Sequence, residues 1–600
     1  MKYRHIFLLF SLLFKLSTTF SQTPTSTQPS GTGTVNDPYL ISSLANLYFL
    51  SQNPSYYASG KFIKQTANID ASETSSWFSD GSGGYYGFPI IGGDSRSVGN
   101  HVYGTFAATY DGQGYNIRNL YIRRGCHYVA LFGHCFGATI KNLNLINPNV
   151  NVTNTSCGSA NYQGNAIFIA AFGNTTIQNI RITNGILQGN SAYGYFGGML
   201  GRGGTVTATD CTVEATINLS SSSAGKGGGF LGYSASGTAS MTNCFTKGSI
   251  TSNQSYIGGF LGSIALGSNN SFTKCGSQMN VNALQYAGGF AGEVYDNNST
   301  FTDCYSTGNV TANYSGGFYA YSSYFGSTFS RCYSSGIVSG TNSGGFGYSG
   351  YSYNTHIFSN CFWDNQNSTI TSPFGTSSFA ATGLTGKTTT QMQDISTFTD
   401  ASWNFTTIWN IQNGTNGNYP FIRNNGSTLP VTWLFFTAEK QAAGALLKWS
   451  TASEQNTKDF EVQHSTNTLS WTPLGTVTAA GNSTTIQQYS FTHATPFKGN
   501  VYNYYRILQR DLDGKFSYSK IASLIYDEPG PDVFVYPNPA TGAVTIYISE
   551  SKDVRLINVA GATVWKGTLS AGRNQIPLTH LAKGVYWVVT ENYKKQLLIQ

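Results

Sequence analysis

The chain has 600 residues, more than one ordinary hydrophobic core organises, so the sequence implies either several domains or a repeat array. Only 10% of the residues are charged and 14% are aromatic, beside 69 glycines, and this composition favours strands and turns over helices. The formal net charge of +7 is spread along the chain without a run of Lys and Arg, which argues against a nucleic-acid partner.

The N-terminus has the pattern of a secretory signal peptide. Lys2 and Arg4 precede the apolar run IFLLFSLLF, and Thr19-Phe20-Ser21 places small residues where signal peptidase needs them. This run is too short to span a bilayer, so residues 1–21 are predicted to be a cleaved signal peptide. No later apolar run reaches the roughly 18 residues of a membrane helix, and the sequence predicts an exported chain without a transmembrane segment.

The middle of the chain repeats with a period of roughly 30 residues. Each unit has a Gly-Gly-aromatic or Gly-Gly-Met triplet, and a cysteine follows 14 to 17 residues after the first glycine. The triplets begin at Gly197, Gly228, Gly258, Gly288, Gly316 and Gly344, and the cysteines are Cys211, Cys244, Cys275, Cys304, Cys332 and Cys361. Three upstream segments, YNIRNLYI, ATIKNLNL and TTIQNIRI, fit the same template with Leu120, Leu143 and Ile180 in the cysteine column.

Two further columns accompany the cysteines. Three residues earlier the chain has Ile117, Ile140, Ile177, Ala208, Met241, Phe272, Phe301, Phe329 and Phe358. Directly before the cysteine column it has Asn119, Asn142, Asn179, Asp210, Asn243, Lys274, Asp303, Arg331 and Asn360. Short units of this kind bury their apolar faces only by stacking on equivalent units.

The predicted fold class is therefore all-β, with a right-handed parallel β-helix of about nine coils over residues 22–428, followed by two small β-sandwich domains. A propeller is the alternative, but it needs four strands per blade, usually over about 40 residues or more.

The pattern GGFLG…NC(F/Y)xxGxI resembles the GLUG-motif repeats of adhesin-like bacterial surface proteins. The segment from GTVNDPYL to GTFAATYDGQGYNIRNL is similar to the N-terminal cap of such arrays, and the segment from FWDNQNSTI to GNYPFI resembles their closing segment. The resemblance covers about residues 31–424, implies a surface protein often assigned to adhesion, and brings no catalytic residues.

A composition change at Leu429-Pro430 begins a second region with alternating apolar and polar residues and turn signals at sandwich-like intervals. Residues 429–528 resemble a fibronectin type III-like module, with Trp449 and Tyr505 as candidate core residues.

Residues 532–600 resemble the C-terminal sorting domain of the type IX secretion system. The resemblance lies in Tyr536-Pro537-Asn538-Pro539, in LAKGVY with Gly584 and Tyr586, and in the basic pair Lys594-Lys595. The middle motif differs, because Asn558 and Gly561-Ala562 stand where the family usually has Asp and Gly-Arg. The resemblance implies type IX secretion machinery as a partner and a secreted protein, or one on the outer surface of a Gram-negative bacterium.

The cysteine column is predicted to be a stack of buried thiols, because Leu and Ile fill the same position in the upstream units. Cys126-His127 and His134-Cys135 contain zinc-ligand residue types, but their spacing matches no common zinc site, so no metal and no cofactor is predicted. A disulfide involving Cys126, Cys135 or Cys157 remains open in an oxidising location.

An enzyme of the β-helix class, either a polysaccharide lyase or a glycoside hydrolase, is the alternative function. Such chemistry needs paired carboxylates or cation-binding Asp clusters. Residues 125–360 contain only five acids: Asp210, Glu214, Glu293, Asp296 and Asp303. The sequence therefore predicts a protein that is not an enzyme.

Tyrosines concentrate in the last units, at Tyr319, Tyr321, Tyr324, Tyr348, Tyr351 and Tyr353. We expect these to be exposed loop residues that contact a glycan or a protein, because rigid aromatic area binds at low entropy cost. Stacking along the rod is an equally good explanation for them. The leading hypothesis is an adhesin-like surface protein, and a structural surface-layer rod is a third alternative.

Overall fold

The computed structural model describes residues 24–93, 102–125, 128–153, 164–190, 194–220, 225–235, 237–265, 269–295, 298–322, 326–348, 356–375, 381–423, 433–441, 444–451, 454, 457–468, 470–481, 483, 486–498, 502–511, 516–526, 533–536 and 538–600. The predicted signal peptide, residues 1–21, lies outside them. The chain divides into two compact units, residues 1–427 and 428–600.

In its described residues, the first unit is a solenoid built from three parallel sheets. Sheet 1 has 24 strands: Tyr39–Ile41, Phe62–Gln65, Ile69–Asp70, Thr109–Asp111, Asn116–Arg118, Tyr121–Arg124, Thr139–Ile146, Asn149–Val152, Thr175–Gly189, Val206–Thr209, Thr212–Leu219, Ala239–Thr242, Phe245–Ser252, Ser271–Thr273, Gly276–Ala283, Thr300–Thr302, Tyr305–Ser306, Val310–Thr311, Thr328–Ser330, Tyr333–Ser334, Val338–Ser339, Ile357–Ser359, Cys361–Asp364 and Leu384–Lys387. Sheet 2 has seven strands: Gly164–Ala166, Tyr195–Gly197, Lys226–Gly228, Tyr256–Gly258, Tyr286–Gly288, Tyr314–Gly316 and Asn342–Gly344. Sheet 3 also has seven: Phe132–Phe136, Ile169–Gly173, Leu200–Gly203, Leu231–Ser234, Leu261–Ile264, Ala291–Val294 and Tyr319–Ser322.

The parallel pairing of equivalent strands from successive repeats agrees with a β-solenoid and not with a propeller. The predicted number of about nine coils is wrong, because sheets 2 and 3 each complete about seven turns. The nine positions of the cysteine column outnumber the turns of sheets 2 and 3 because positions at both ends of the column lie beyond those turns. Cys361 lies in a strand that pairs with the closing strand Leu384–Lys387, beyond the last strands of sheets 2 and 3.

At the N-terminal end, the first upstream segment is displaced from its predicted column. Tyr110, not Ile117, pairs with Ile140, while Ile117 pairs with Leu145. The local pattern IRNL closely resembles the later IKNL. The strand that pairs at Ile140 is nevertheless the preceding one, Thr109–Asp111, and not the strand that contains IRNL.

The polar column before the cysteines forms a corner in the left-handed region. All nine residues of this column have φ between 51° and 58°, a conformation that Asn and Asp adopt at lower cost than other L residues. Where the corners are amides they join successive coils, as when Asn142 Nδ2 donates to Asp111 Oδ1 at 3.0 Å and Asn179 Nδ2 donates to Asn142 Oδ1 at 3.0 Å.

Inside the solenoid, two ladders of phenylalanine rings run along the axis. Phe230, Phe260, Phe290, Phe318 and Phe346 stack with centroid separations of 4.7–5.0 Å. Phe272, Phe301, Phe329 and Phe358 form the second ladder and meet the first edge to face. Each ring is held by its neighbours above and below, so the coils stabilise one another.

Short helices lie outside the repeats. They are the α-helices Leu44–Gln52, Thr389–Met392 and Ile395–Thr399, with 3₁₀ turns at Pro54–Tyr57, Ser72–Ser76 and Asn416–Asn418. The first helix begins at Ser43, whose side chain accepts from Asn46 N, and buries Leu47 and Leu50 in the solenoid core. None of the helices in the described residues has the length and apolar character that crossing a bilayer needs.

The closing segment covers part of sheet 1. Its two short helices and the antiparallel pair Trp409–Asn410 and Phe421–Ile422 bury Tyr305, Tyr333 and Phe362.

The second unit begins with two antiparallel sheets around Trp449, Phe460 and Tyr505. One sheet contains Trp433–Gln441, Gly444–Thr451 and Gln487–His493, and the other contains Thr457–Ser465, Thr472–Thr478, Tyr502–Asp511, Phe516–Tyr518 and Ala522–Ile525. Trp449 and Tyr505 are completely buried, as predicted.

Two more antiparallel sheets end the chain. One contains Val533–Tyr536, Ala543–Ile548 and Gly572–Pro577, and the other contains Lys552–Asn558, Thr563–Leu569, Gly584–Thr590 and Tyr593–Ile599. Their shared core includes Val544, Leu556, Val588 and Leu597.

Candidate binding surface

Sheets 2 and 3 meet at a tight corner that requires glycine. A Cβ on Gly258 would lie 1.9 Å from Leu261 O, and one on Gly262 would lie 2.3 Å from Gly232 O. The glycines of the repeated Gly-Gly-aromatic triplet therefore allow the backbone to turn between these sheets. The turn brings two columns of side chains, one from each sheet, against each other on the outer surface.

We call these two columns the tyrosine seam. Sheet 2 contributes Tyr195, Lys226, Tyr256, Tyr286, Tyr314 and Asn342, which are aligned by the strand register. Sheet 3 contributes Arg202, Tyr233, Ser263, Glu293 and Tyr321, aligned in the same way. Most of the tyrosines are partly exposed, whereas Tyr195, Ser263 and Glu293 are buried.

The sheet 2 tyrosines stack on one another. The Tyr256 and Tyr286 ring centroids are 5.0 Å apart, and those of Tyr286 and Tyr314 are 4.8 Å apart, with the rings nearly parallel in both pairs. Tyr321 meets Tyr286 edge to face at 5.2 Å, and Tyr348 lies 5.0 Å from Tyr314. The stack covers the ring faces and directs the ring edges along one line parallel to the solenoid axis.

The other end of the seam is ionic. Lys226 Nζ forms an ion pair with Glu293 and lies 2.9 Å from Ser263 Oγ, and it sits 4.8 Å from the centre of the Tyr233 ring. Arg202 lies over the Tyr195 ring at 5.5 Å. Burial raises the pKa of Tyr233 further above neutral pH. Its protonated phenol can serve as a hydrogen-bond donor or acceptor.

The structure brings only part of the predicted tyrosine cluster together. Tyr321 and Tyr348 contact the seam, and Tyr324, Tyr351 and Tyr353 lie outside the described residues. The prediction that Tyr319 is an exposed loop residue is wrong. It is 1% exposed, its ring lies on Phe329, and burial raises its pKa well above the usual range. Its side chain points inward because its strand pairs it with the buried Leu261 and Ala291 column.

Sequence reasoning missed the seam tyrosines of the earlier coils: Tyr195, Tyr233, Tyr256, Tyr286 and Tyr314. A signal was available, because four of these five stand two residues before the first glycine of a Gly-Gly triplet. Alignment on cysteine and phenylalanine hid this column, since it faces outward.

The six column cysteines are completely buried free thiols. Each thiol lies within hydrogen-bond distance of at least one main-chain carbonyl oxygen, and Cys304 Sγ lies 3.3 Å from Phe272 O and 3.4 Å from Thr302 O. Burial raises the pKa of the Cys304 thiol, which makes it unreactive.

The Cys135 thiol is also free and buried, and His134 Nδ1 lies 3.2 Å from Thr105 Oγ1. Cys126, His127 and Cys157 lie outside the described residues, so the open disulfide and the absence of a metal stay predictions.

Each described acid of the repeats forms an ion pair or accepts a hydrogen bond. Asp303 binds Arg331 through two hydrogen bonds and accepts from Trp409 Nε1, while Glu293 pairs with Lys226. Glu214 pairs with Lys247 at 3.6 Å, and Asp210 accepts from Asn243. Asp296 lies outside the described residues.

Of the predicted sorting residues, Asn538 joins the first loop of the last two sheets to the final strand. Asn538 Oδ1 accepts from Leu598 N at 2.8 Å and its Nδ2 donates to Gln596 O at 2.7 Å, so this side chain fastens the first loop to the last strand. Ala540 pairs with the same strand, through Leu598 O and Gln600 N. Pro537 lies outside the described residues.

The other sorting residues lie along the chain as follows. Tyr586 is buried and donates to Ala582 O at 2.7 Å, and burial raises the pKa of Tyr536. Gly584 has φ 151°, and Lys594 and Lys595 are exposed. Asn558 Oδ1 accepts from Ala560 N and Ala562 N, so an amide here supplies the acceptor that the turn needs.

These contacts tie the first and last segments of the sandwich into one folded body. Residues 534–600 match the family described as secretion system C-terminal sorting domain. They form a sorting domain of the type IX system. The chain is therefore exported by that route, to the outer surface or to the medium.

Other comparisons are more limited. Halomucin of Haloquadratum walsbyi is 34% identical over 168 residues, which is 28% of this chain, and the chain spans only 2% of that relative's length. The dimeric latent PorU of Porphyromonas gingivalis is 12% identical, with 28% of this chain and 20% of that chain covered, at a TM-score of 0.12. A TM-score this low carries no argument about the fold or the function.

Proposed function

We propose that this is a secreted or surface-displayed, adhesin-like binding protein without catalytic activity, and that its tyrosine seam holds an extended extracellular glycan chain. The observation that carries the proposal is the regular line of partly exposed Tyr256, Tyr286 and Tyr314 along the solenoid axis. The N-terminal signal peptide, the GLUG-like repeats and a fibronectin type III-like spacer belong to the same proposal.

The spacing of the seam favours a glycan. Successive coils of a parallel sheet are about 4.8 Å apart, so equivalent phenols recur at that interval. An extended chain of β-linked pyranoses advances by close to one such interval per sugar, whereas an extended peptide advances by about 3.3 Å per residue. A glycan laid along the axis therefore meets the same phenol edge and hydroxyl at every sugar, and sugar hydroxyls suit both roles of a phenol.

The absence of activity is supported by the engagement of the described acids of the repeats. Asp303 and Glu293 are held by a cation and a further donor each, which leaves neither as one of a pair of facing carboxylates. A structural rod is the second candidate, because tyrosines that stack on each other also stiffen the surface without a ligand.

A glycan array followed by titration of the full-length protein tests the proposal. We expect the double variant Tyr256→Ser/Tyr286→Ser to weaken binding by roughly tenfold or more, since aromatic residues dominate binding energy. The variant Tyr286→Phe keeps the stack and isolates the hydroxyl contribution. The matched control is Tyr103→Ser, at an exposed tyrosine outside the seam.

The outcomes separate the candidates. Binding that the control reduces as much as the seam variant would refute the seam as the site. Release of reducing sugars would indicate the enzyme, binding only to an extracellular protein would replace the glycan, and no ligand at all would favour the rod.

A further inference from the structure

We propose that a basic row on the outer face of the sorting domain docks onto an acidic surface of a protein of the export machinery. The row consists of Lys566, Arg555 and Lys594, and we call it the basic row. It is independent of the tyrosine seam, because it lies in the other compact unit.

The strand register aligns the row across a sheet of four strands. Arg555 pairs with Lys566 on one side and with Val589 on the other, and Val589 pairs with Lys594. Paired residues of neighbouring strands share a face of the sheet. With strands about 4.8 Å apart, the three intervals span about 14 Å, and three cations lie on this line.

The row faces outward. Val554 and Leu556, on either side of Arg555, are completely buried, while Arg555, Lys566 and Lys594 are exposed. Lys594 Nζ lies over the partly exposed Trp587 ring at 4.7 Å, which places Trp587 on the same face.

Within the described part of the sorting domain, no member of the row forms an ion pair. In that part an ion pair joins Lys552 to Glu550, and no acid of the described residues pairs with a member of the row. Asp553, the carboxylate nearest in sequence on this face, accepts from Thr568 Oγ1 at 2.6 Å. Residues 534–600 carry seven Lys or Arg against three Asp or Glu, a net charge of +4.

This arrangement costs stability. Like charges on directly opposed residues repel, and Arg555 faces Lys566 in this way. A local arrangement that opposes folding, with no ion pair among the described residues to offset it, is expected where a surface serves binding. Complementary charge would steer the domain to its partner and fix its orientation.

A protein surface fits the row better than a lipid surface. The row follows one line of paired residues across the sheet, and Arg and Trp are residue types that dominate protein interfaces. The apolar groups beside it, Val589 and Trp587, are only partly exposed. Membrane anchoring instead needs apolar side chains that reach the acyl region.

Export of charge-reversal variants of the full-length chain tests the inference. We expect Arg555→Glu to lower the amount of protein at the cell surface and in the medium by roughly fivefold or more, with accumulation in the periplasm. The matched control is Arg573→Glu, which makes the same charge change at an exposed position on the opposite sheet and should be exported normally. Equal export of the two variants would overturn the proposal.

A second variant separates docking from folding. Lys566→Thr removes the like-charge pair, so its sorting domain should unfold at a higher temperature than the wild type while its export falls. A fall in both export and unfolding temperature would show that the row is structural and would overturn the proposal.

Phosphatidylglycerol vesicles test the lipid alternative. Row-dependent binding of the purified protein to them would overturn the protein partner in favour of the membrane. The proposed function is checked separately, because Arg555→Glu protein recovered from the periplasm should bind the array glycan as the wild type does.

Discussion

The solenoid and the sandwiches of the C-terminal unit reach stability in different ways. In the solenoid, each coil contributes the same few residues to ladders that pass from coil to coil, such as the Phe260, Phe290 and Phe318 stack. In the first sandwich, Trp449, Phe460 and Tyr489 form one local cluster between two antiparallel sheets. A change in the solenoid should therefore affect neighbouring coils along the axis, whereas a change at Trp449 or Phe460 should act mainly on one local cluster.

The largest contrast is expected at glycines. A Cβ at Gly258 meets main-chain atoms of Leu261, Gly292 and Phe290 at 1.9–2.8 Å, and none of these can move without breaking the corner. Gly258→Ala should cost more than about 4 kcal/mol and unfold the coils around it. At Gly561, with φ 81°, an added Cβ would have no atom within 4 Å, so the same change should cost only about 1–2 kcal/mol.

Circular dichroism melts of both variants, with limited proteolysis to identify which unit opens, measure this contrast. Similar destabilisation by the two changes would show that backbone conformation, not the tight corner, sets the cost in the solenoid.

Phenylalanine truncation tests how far a defect spreads. Phe290 and Phe460 are both completely buried, so Phe290→Ala and Phe460→Ala should each cost about 3–5 kcal/mol. Phe290→Ala should also raise hydrogen exchange in the coils of Phe260 and Phe318, because their rings lose a stacking partner. Phe460→Ala should raise exchange only within its sandwich.

Exchange measured by mass spectrometry on the full-length chain reports both patterns. Increased exchange confined to the single coil of Phe290 would contradict coupling between coils.

The sequence revealed the buried columns of the solenoid because repetition forces them to align. Cys244, Cys275 and Cys304 share one position with Leu143 and Ile180, and all five are completely buried. The number of turns was wrong because a column records strands of one sheet, and sheet 1 extends past the other two at both ends. The displacement of Ile117 shows that a local pattern cannot fix which strand a segment pairs with when the entry to the solenoid is irregular.

The candidate site was harder to predict. Outward residues are less constrained by packing than core residues, so Tyr256 and Lys226 occupy the same column and no single residue type marks it. Tyr319 and Tyr321 are two residues apart, but one lies in the core and the other on the surface, because Tyr319 fills a column that holds leucine in earlier coils. The pairing register of the strand determines which of the two tyrosines points into the core, and this register cannot be read from the sequence.

The smallest expected effect concerns the left-handed corners. Lys274 has φ 54° between Asn243 and Asp303, although Lys gains nothing from this conformation. Asn243 Nδ2 donates to Asp210, but among the described residues its buried Oδ1 has no hydrogen-bond partner. In earlier coils the next amide fills that role, as Asn179 does for Asn142. Lys274→Asn should therefore raise the free energy of unfolding of the solenoid by about 1 kcal/mol, from lower backbone strain and one added buried hydrogen bond.

Two companion variants divide this gain. Lys274→Gly relieves the strain without an amide, and Lys274→Gln supplies an amide on a side chain too long for the corner. Urea unfolding should rank Asn above Gly and Gly above Gln. Equal midpoints for Asn and Gly would show that the ladder amide adds nothing. The corners would then stabilise the solenoid through their backbone conformation alone. The ion pair between Asp303 and Arg331, at the next two corners, would not depend on hydrogen bonds between amides in the preceding coils.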